Sequence, residues 1–392
     1  MNDVTEPPAP TRLTRALRAG IHTDIAHGAV VPPLYLSTNY TFEGLGRPRR
    51  YDYSRSGNPT RDHLGEAIAV LEGGADGVVV ATGMATVTLA IEALVPVGGR
   101  VVAPHDCYGG TWRLLSWFGQ RGRIELEFAD LTDPATVSTV LDRPADLVWI
   151  ETPSNPLMRI TDLDAVSRAA HGAGAVAVAD NTFCSPLLQR PLEHGVDVVV
   201  HSTTKFINGH SDIVGGAVVA ADDGVQAELA AWANALGITA SPFDSYLALR
   251  GLRTLDARLR VHQENTARVV EVLVASEAVS RVNYPGLDTH PGHEVAARQQ
   301  LGYGSLLSFE LTGGLPAVER FVDGLRYFDL AESLGGVESL IAHPATMTHA
   351  SMSQPAREAA GIGDGLIRLS VGIEDAEDLV ADISAALSRA AG

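Results

Sequence analysis

Short apolar runs alternate with longer segments of helical spacing along the middle of the chain. Each run is rich in valine, isoleucine or other apolar residues, and all of them fall after about residue 65. They are GVVVAT, RVVAP, RIELEF, DLVWIE, AVAVAD, VDVVVHS and GGAVVA. Buried strands joined by crossover helices have this pattern, so the sequence predicts an α/β fold with a mostly parallel central sheet.

The last third of the chain has a different pattern. Helical spacing dominates from Phe243 to about Ser276, and alternating strands such as Ser305 to Leu311 and Leu366 to Val371 follow. A final helix is predicted over residues 376–390. These elements predict a smaller C-terminal α/β domain beside the central sheet.

Residues 1 to about 60 are rich in proline, glycine and arginine and show little periodicity. A segment of this kind has no apolar face from which to build its own core. We therefore expect an N-terminal arm, residues 1–64, that depends on other surfaces for its order. The large domain is expected over residues 65–258 and the C-terminal domain over residues 259–392.

Composition and charge exclude several classes of protein. Of 392 residues, 45% are hydrophobic and 19% are charged, which is a globular balance. The net charge of −18 argues against nucleic acid and anionic membranes as partners. The apolar stretch from Val78 to Val97 contains threonine, glutamate and proline, so a membrane span is not expected. Cys107 and Cys184 are too few for a disulfide framework or a structural zinc site, so we expect a cytoplasmic protein without a metal.

The chain contains 28 arginines and a single lysine, Lys205. Arginine can replace lysine on a solvated surface, but a guanidinium stays protonated and cannot form an imine with an aldehyde. Lys205 follows an apolar strand in VDVVVHSTTKFINGHSD, and ligands of open α/β sheets bind beyond the carboxyl ends of strands. We interpret Lys205 as a residue for imine chemistry. The alternative is a surface lysine without a function.

Two further segments are consistent with such a site. Asp180 ends the strand in AVAVADNTF, where a buried carboxylate needs a positive partner such as a protonated pyridine nitrogen, the alternative being a turn aspartate. In ATGMATVTLAIEALV a strand, a glycine and a helix follow one another, so the amides of Gly83 and Met84 are expected to face an anion. Ser202 and Thr204 add hydroxyl donors. No three-glycine dinucleotide motif follows a strand, which disfavours a nicotinamide-dependent oxidoreductase.

With these residues in place, the chain resembles the Cys/Met-metabolism enzymes of fold type I, which depend on pyridoxal 5′-phosphate (PLP). The resemblance extends from about residue 20 to the C-terminus and is greatest for the bacterial members that form cystathionine. The motifs that carry it are YDYSRSGNPTRD, APHDCYGGTWRL, ETPSNPL, VADNTF, HSTTKFINGHSD, FDSYLALRGLRTL, LAESLGGVESLIAHPATMTH and IRLSVGIED.

The resemblance implies PLP as the cofactor and a role for each matching residue. Lys205 is implied as the Schiff-base residue and proton shuttle, and Asp180 as the partner of the pyridinium nitrogen. Tyr108 is implied as the residue that stacks on the cofactor ring. The residues implied for the cofactor phosphate are Gly83, Met84, Ser202, Thr204 and, from a neighbouring subunit, Tyr53 and Arg55. A homo-oligomer with shared sites, expected to be a tetramer built from two catalytic dimers, is implied as well.

The resemblance also implies the reaction. Arg368 is expected to bind the α-carboxylate of an amino-acid substrate through two parallel bonds, with Asn155 and Ser333 nearby. Glu332 and Arg113 are expected to orient a second substrate. The implied reaction is a γ-replacement, in which an O-acylhomoserine, expected to be the succinyl ester, and L-cysteine give cystathionine for methionine biosynthesis. The alternatives are γ-cleavage of cystathionine to cysteine, 2-oxobutanoate and ammonia, another γ-elimination or γ-replacement reaction of the family, and a noncatalytic binding protein on the same scaffold.

Overall fold

The computed structural model describes residues 9–350, 357 and 360–392, so the first eight residues of the expected arm lie outside it. The helices are α1 (Arg12–Leu17), α2 (Pro59–Glu72), α3 (Gly83–Leu94), α4 (Gly109–Gln120), α5 (Pro134–Val140), α6 (Leu163–Gly172), α7 (Ser185–Leu188), α8 (Asp223–Leu236), α9 (Pro242–Leu252), α10 (Leu255–Val274), α11 (His293–Gln299), α12 (Gly314–Val322) and α13 (Ala376–Ala391), with a 3-10 helix at Pro191–His194.

The strands form two sheets. Those of the first are β1 (Val78–Val80), β2 (Gly99–Pro104), β3 (Ile124–Ala129), β4 (Leu147–Glu151), β5 (Val176–Asp180), β6 (Val198–His201) and β7 (Gly216–Ala220). Those of the second are β8 (Val279–Asn283), β9 (Leu306–Leu311), β10 (Phe328–Leu330), β11 (Ser339–Ala342) and β12 (Leu366–Ser370).

The central sheet has seven strands in the order β1-β7-β6-β5-β4-β2-β3. The pairs from β6 through β5, β4 and β2 to β3 are parallel, whereas β7 is antiparallel to both of its neighbours. Every residue of β2, β4, β6 and β7 is buried, because helices cover both faces of the sheet. The predicted α/β fold with a mostly parallel central sheet is confirmed.

The second sheet has five strands in the order β10-β11-β12-β9-β8. Its apolar side packs against α10, α12 and α13 in a separate core that includes Phe309, Phe321 and Leu379. The rings of Phe309 and Phe321 meet with centroids 5.4 Å apart. A smaller C-terminal α/β unit is therefore present, as the sequence predicts.

The segment between α1 and α2 exposes several large apolar side chains. Leu45 is fully exposed, Ile25 is 96% exposed and Leu36 is largely exposed, while Phe42 is about half exposed. A short isolated bridge pairs Asn39 with Tyr53. Apolar surface of this extent on one segment marks a contact surface rather than a core.

Among the helices of the described residues, none is long and apolar enough to cross a membrane. Over the same ranges, 9–350, 357 and 360–392, no group of three or more histidine, cysteine and acidic side chains is arranged to hold a metal ion.

Candidate active site

A cavity of about 690 Å³ lies beyond the carboxyl ends of β4, β5 and β6 and extends to the second sheet. It brings together most of the residues that the sequence singles out. Those lining it are Gly83, Met84, Tyr108, Arg113, Asn155, Asp180, Ser202, Thr204, Lys205, Glu332, Ser333 and Arg368. The cavity therefore gathers residues from both sheets at the edge where ligands of α/β folds bind.

Lys205 reaches into the cavity from the turn that follows β6. Its Nζ donates a hydrogen bond to Oγ of Ser333 at 2.7 Å. Burial, and then the nearby Arg368 guanidinium, lower the pKa of Lys205 to about 8. On the order of a tenth of this amine is therefore unprotonated at pH 7, whereas an ordinary lysine is almost fully charged. A nucleophilic lysine requires this neutral form.

Asp180 ends β5 on the floor of the cavity. Its Oδ1 accepts the backbone N–H of Thr182 at 3.0 Å, and Thr182 in turn accepts the N–H of Ser202 on its hydroxyl at 2.9 Å. Burial raises the pKa of Asp180, while the bonds from Thr182 and the His201 imidazole oppose that rise. In the described part of the chain no cation lies within ion-pair distance of this carboxylate. A positively charged partner in the cavity would favour its ionised form.

Glu151 is a cavity residue that the sequence reasoning missed. It ends β4 directly opposite Asp180 in the parallel register, and its side chain is buried. One carboxylate oxygen accepts the backbone N–H of Tyr108 at 2.8 Å. Burial and the adjacent Asp180 raise its pKa well above the ordinary value. The available signal was its position at the end of DLVWIE, which matches that of Asp180 at the end of AVAVAD.

Tyr108 precedes α4 and stands at the cavity wall with 45% of its surface exposed. Burial, followed by the charge of Glu332, raises the pKa of the phenol. A Cβ on Gly110 would lie 2.5 Å from the Tyr108 ring and 2.8 Å from Sδ of Met84. Glycine at position 110 thus permits the close approach that fixes the ring beside the helix.

The expected phosphate end lies at the start of α3. The hydroxyl of Thr82 caps this helix by accepting the N–H of Ala85 at 3.0 Å, and the first amides of a helix have no partner within it. A Cβ on Gly83 would lie 2.8 Å from both Cβ and Oγ of Ser202, so the helix start and Ser202 are in direct contact. The hydroxyl of Thr204 donates to the carbonyl oxygen of Gly215 and accepts its N–H.

Arg368 lies on β12 and is buried. Its Nη1 donates to the Asn155 side-chain oxygen at 3.1 Å and its Nη2 to the Ser333 carbonyl oxygen at 2.7 Å, while Nε has no partner among the described residues. Burial lowers its pKa to about 10. Ser333 holds its place with a φ of 88°, a left-handed conformation that is unfavourable for serine and typical of functional sites.

The remaining predicted residues are more exposed. The Arg113 guanidinium lies 6.0 Å from the ring centroid of Trp117, at the cavity mouth with Glu332. Tyr53 and Arg55 do not line the cavity of their own chain. Both are exposed, and the Arg55 guanidinium lies 5.8 Å from the Tyr53 ring centroid.

These side chains fit PLP. The unpaired Asp180 carboxylate suits a protonated pyridine nitrogen, and the helix start with Ser202 suits a phosphate. Lys205 supplies an amine for the aldehyde. The Arg368 Nε without a partner suits a carboxylate of the substrate beside the cofactor.

Comparison with known proteins identifies the class to which this fold and site belong. The family model for Cys/Met metabolism PLP-dependent enzymes matches residues 13–388. The chain therefore belongs to the Cys/Met-metabolism family of PLP-dependent enzymes.

Its similar relatives include cystathionine γ-synthases. The Escherichia coli enzyme is 50% identical over 94% of this chain and 96% of that protein. Two crystal structures of the Xanthomonas oryzae pv. oryzae enzyme are similar as well, one in complex with aminoacrylate and cysteine and one in complex with cystathionine. Their sequences are 60% and 61% identical to this chain, and both have a TM-score of 0.97 over 98% of this chain and 99% of the other. A cystathionine γ-lyase from Micromonospora echinospora is 42% identical, with a TM-score of 0.92 over 97% of this chain and 100% of that one.

Proposed function

We propose that the protein catalyses a γ-replacement in which an O-acylhomoserine and L-cysteine give cystathionine. The observation that carries this proposal is the identity of 50 to 61% over nearly the full chain with cystathionine γ-synthases. The cavity adds support, since it combines an amine, a carboxylate clamp and room for a second amino acid. We propose the succinyl ester as the acyl substrate and methionine biosynthesis as the pathway.

Each cavity residue is proposed to have a separate role in the reaction. Bound PLP withdraws electrons from the substrate α-carbon and so makes proton removal there possible. The amine of Lys205 is proposed to take that proton and to move protons at neighbouring carbons, which its lowered pKa of about 8 favours. Asp180 keeps the ring nitrogen protonated, and Tyr108 stacks on the ring. Arg368 holds the substrate α-carboxylate with Asn155 and Ser333 fixing the guanidinium.

The remaining assignments concern the phosphate and the second substrate. Glu332 and Arg113 lie at the cavity mouth and are proposed to orient the incoming cysteine. The residues proposed for the phosphate are Gly83, Met84, Ser202 and Thr204, joined by Tyr53 and Arg55 of a neighbouring subunit.

We further propose a homo-oligomer with shared active sites, a tetramer of two catalytic dimers, located in the cytoplasm. The exposed apolar side chains of the arm support this assembly, since a second copy of the chain would cover them. The proposed division is an arm over residues 1–64, a PLP-binding domain over 65–258 and a C-terminal domain over 259–392. It fits the two sheets, which span residues 78–220 and 279–370.

A substrate comparison tests the reaction. The purified protein is incubated with cysteine and the O-succinyl, O-acetyl or O-phospho ester of homoserine, and separately with cystathionine. Cystathionine formation from the succinyl ester should be faster than cystathionine breakdown. Faster release of cysteine and 2-oxobutanoate would instead assign γ-cleavage, which similarity to the Micromonospora echinospora γ-lyase makes the second candidate.

A further inference from the structure

Four buried amide side chains form a hydrogen-bonded network beside the carboxyl ends of β4 and β5. This amide network consists of Asn181, Gln189, Gln299 and Gln300, and none of the four is more than 8% exposed. Gln189 lies at its centre, in extended conformation immediately after α7. The network is separate from the residues that line the cavity.

All hydrogen-bonding positions of the Gln189 side chain are occupied. Its Nε2 donates to Oδ1 of Asn181 at 3.1 Å and to the carbonyl oxygen of Thr152 at 3.1 Å. Its Oε1 accepts from Nε2 of Gln299 at 3.2 Å and from Nε2 of Gln300 at 3.0 Å. A primary amide has two donors and two acceptor lone pairs, so these four bonds fix the side chain completely.

Two of these contacts adjoin the floor of the cavity. Asn181 follows Asp180 at the end of β5, and Thr152 follows Glu151 at the end of β4. Successive side chains along a strand point to opposite faces, so Asp180 faces the cavity while Asn181 faces the network. Gln189 therefore fixes the two strand ends that carry Glu151 and Asp180, on the side away from the cavity.

The other two contacts come from the part of the chain that carries Arg368. Gln299 ends α11 and Gln300 follows it. An isolated bridge pairs Gln189 with Gln300, and the N–H of Leu301 donates to the carbonyl oxygen of Leu188 at 2.7 Å. Gln189 thus joins the cavity floor to the region of the second sheet.

The Asn181 side chain is fixed at its amide nitrogen as well. Its Nδ2 donates to the carbonyl oxygen of Gln189 at 2.8 Å and to Oε1 of Glu72 at 2.8 Å. The same Glu72 oxygen lies 2.6 Å from Nε2 of His201, and both members of this pair are buried. Gln300 Oε1, Glu72 Oε2 and His201 Nδ1 have no hydrogen-bond partner among the described residues. The four bonds of Gln189 nevertheless hold the centre of the network in one arrangement, because a displaced buried group loses partners without reaching water.

We propose that Gln189 is a positioning residue. It acts through Asn181 to hold Asp180 at the ring nitrogen of the cofactor PLP. The proposal rests on the PLP dependence of the family and is independent of the proposed γ-replacement. Its test accordingly measures cofactor binding rather than turnover.

Gln189→Glu is the first variant. It keeps an oxygen for Gln299 and Gln300 but replaces the NH₂ group that donates to Asn181 and Thr152. The apoprotein is titrated with PLP and with 1-deazapyridoxal 5′-phosphate, which lacks the ring nitrogen that Asp180 would contact. PLP affinity should fall about tenfold or more, as for a lost hydrogen bond to a charged group, and affinity for the deaza compound should fall less. In an Asp180→Asn background the same substitution should leave the ratio of the two affinities unchanged, because the two residues act as one unit.

Gln226→Leu is the matched control. Gln226 is another buried glutamine, and its Oε1 accepts the N–H of Ala220 at 2.8 Å, away from the cavity. This variant should lower the unfolding temperature without changing the affinity ratio. An unchanged ratio in Gln189→Glu, or an equal change in the control, would overturn the proposal. Should the Gln189 variant not fold, Gln300→Leu is the second variant. It removes one of the two hydrogen bonds to Oε1 of Gln189 and should shift the ratio of the two affinities in the same direction. No shift in this variant would equally overturn the proposal.

Discussion

Lys205 donates a hydrogen bond from Nζ to the hydroxyl of Ser333 at 2.7 Å, although 128 residues separate the two along the chain. The carbonyl oxygen of the same serine accepts from Arg368 at 2.7 Å. One residue in a left-handed conformation, with a φ of 88°, thus holds two cationic side chains in one cavity. Their mutual repulsion contributes to the lowered pKa of Lys205.

This arrangement predicts that the site is stabilised when Lys205 loses its charge. In the apoprotein, Lys205→Met should raise the free energy of unfolding at pH 7 by about 1–3 kcal/mol, because burial disfavours the protonated amine. Thermal or urea unfolding measures the effect. Arg260→Met, at an exposed position, is the control and should change the free energy of unfolding by less than about 0.5 kcal/mol. A loss of stability in Lys205→Met would contradict the prediction.

The pH dependence of the same group follows from linkage. The pKa of Lys205 is about 8 in the folded chain against an ordinary value of 10.5, so between these pH values the unfolded chain binds more protons. The stability of the wild-type apoprotein should therefore gain a contribution that rises from pH 8 to pH 10.5. Lys205→Met should lack that contribution when unfolding is measured across this range, and an identical pH profile for both proteins would count against the lowered pKa.

Arg368→Lys tests the carboxylate clamp. An ammonium group cannot reproduce the planar two-bond contact with a carboxylate, and a lost charge-assisted bond is worth about 1.5–3 kcal/mol. The Michaelis constant for the amino-acid substrate should rise about tenfold to a hundredfold, while titration with PLP should show an affinity close to that of the wild type. An unchanged Michaelis constant would remove Arg368 from the substrate site.

The sequence predicts those parts of the site that lie in a local pattern of residues, but not the contacts between residues that are distant along the chain. Asp180 and Lys205 follow strands of unbroken apolar residues, so the sequence places both at the carboxyl edge of a sheet. Glu151 has the same strand-end position but lacks a second signal, because no residue as unusual in this chain as its single lysine lies beside it. The contact of Gln189 with Gln300 joins residues far apart in sequence, and nothing in the local pattern of either glutamine indicates which distant amide it meets.

Acid should destabilise the protein through histidines that are buried in the neutral form. His262 is buried, and its Nδ1 lies 2.7 Å from the carbonyl oxygen of Val371. Burial lowers the pKa of this imidazole to about 4. Its ordinary value is 6.5, so its contribution is complete above pH 6.5 and is lost as the pH falls through 4, with a slope of up to about 1.4 kcal/mol per pH unit.

The variant His262→Gln should reduce that slope, as measured by unfolding between pH 4 and 7. Glutamine can still donate to the Val371 carbonyl oxygen but takes up no proton in this range. His290 and His349 have pKa values lowered in the same way, to about 4, so a smaller slope should remain. His27→Gln, at an exposed position, serves as the control, and the prediction is wrong if both variants keep the wild-type slope.

The last prediction concerns shared sites. Tyr53 and Arg55 do not line the cavity of their own chain, and they belong to a segment whose apolar side chains are exposed. Docking on a second copy would cover that surface and bring the Arg55 guanidinium to the partner's cofactor phosphate. Arg55→Ala and Lys205→Ala should therefore each be nearly inactive as homo-oligomers, the first through a weakened phosphate site and the second through loss of the amine.

Refolding the two variants together makes the prediction decisive. If the segment crosses between subunits, both substitutions fall in one site of a hybrid dimer, and the other site keeps Arg55 and Lys205 intact. Activity should then reappear, at no more than about half of the wild-type value per hybrid dimer because one of its two sites is intact. Arg49→Ala serves as the control for refolding and takes the place of Arg55→Ala in the mixture. In the wild-type chain the Arg49 guanidinium lies beside Glu43 on the same segment. Verified hybrids as inactive as their parents would show that Arg55 serves its own subunit or no site.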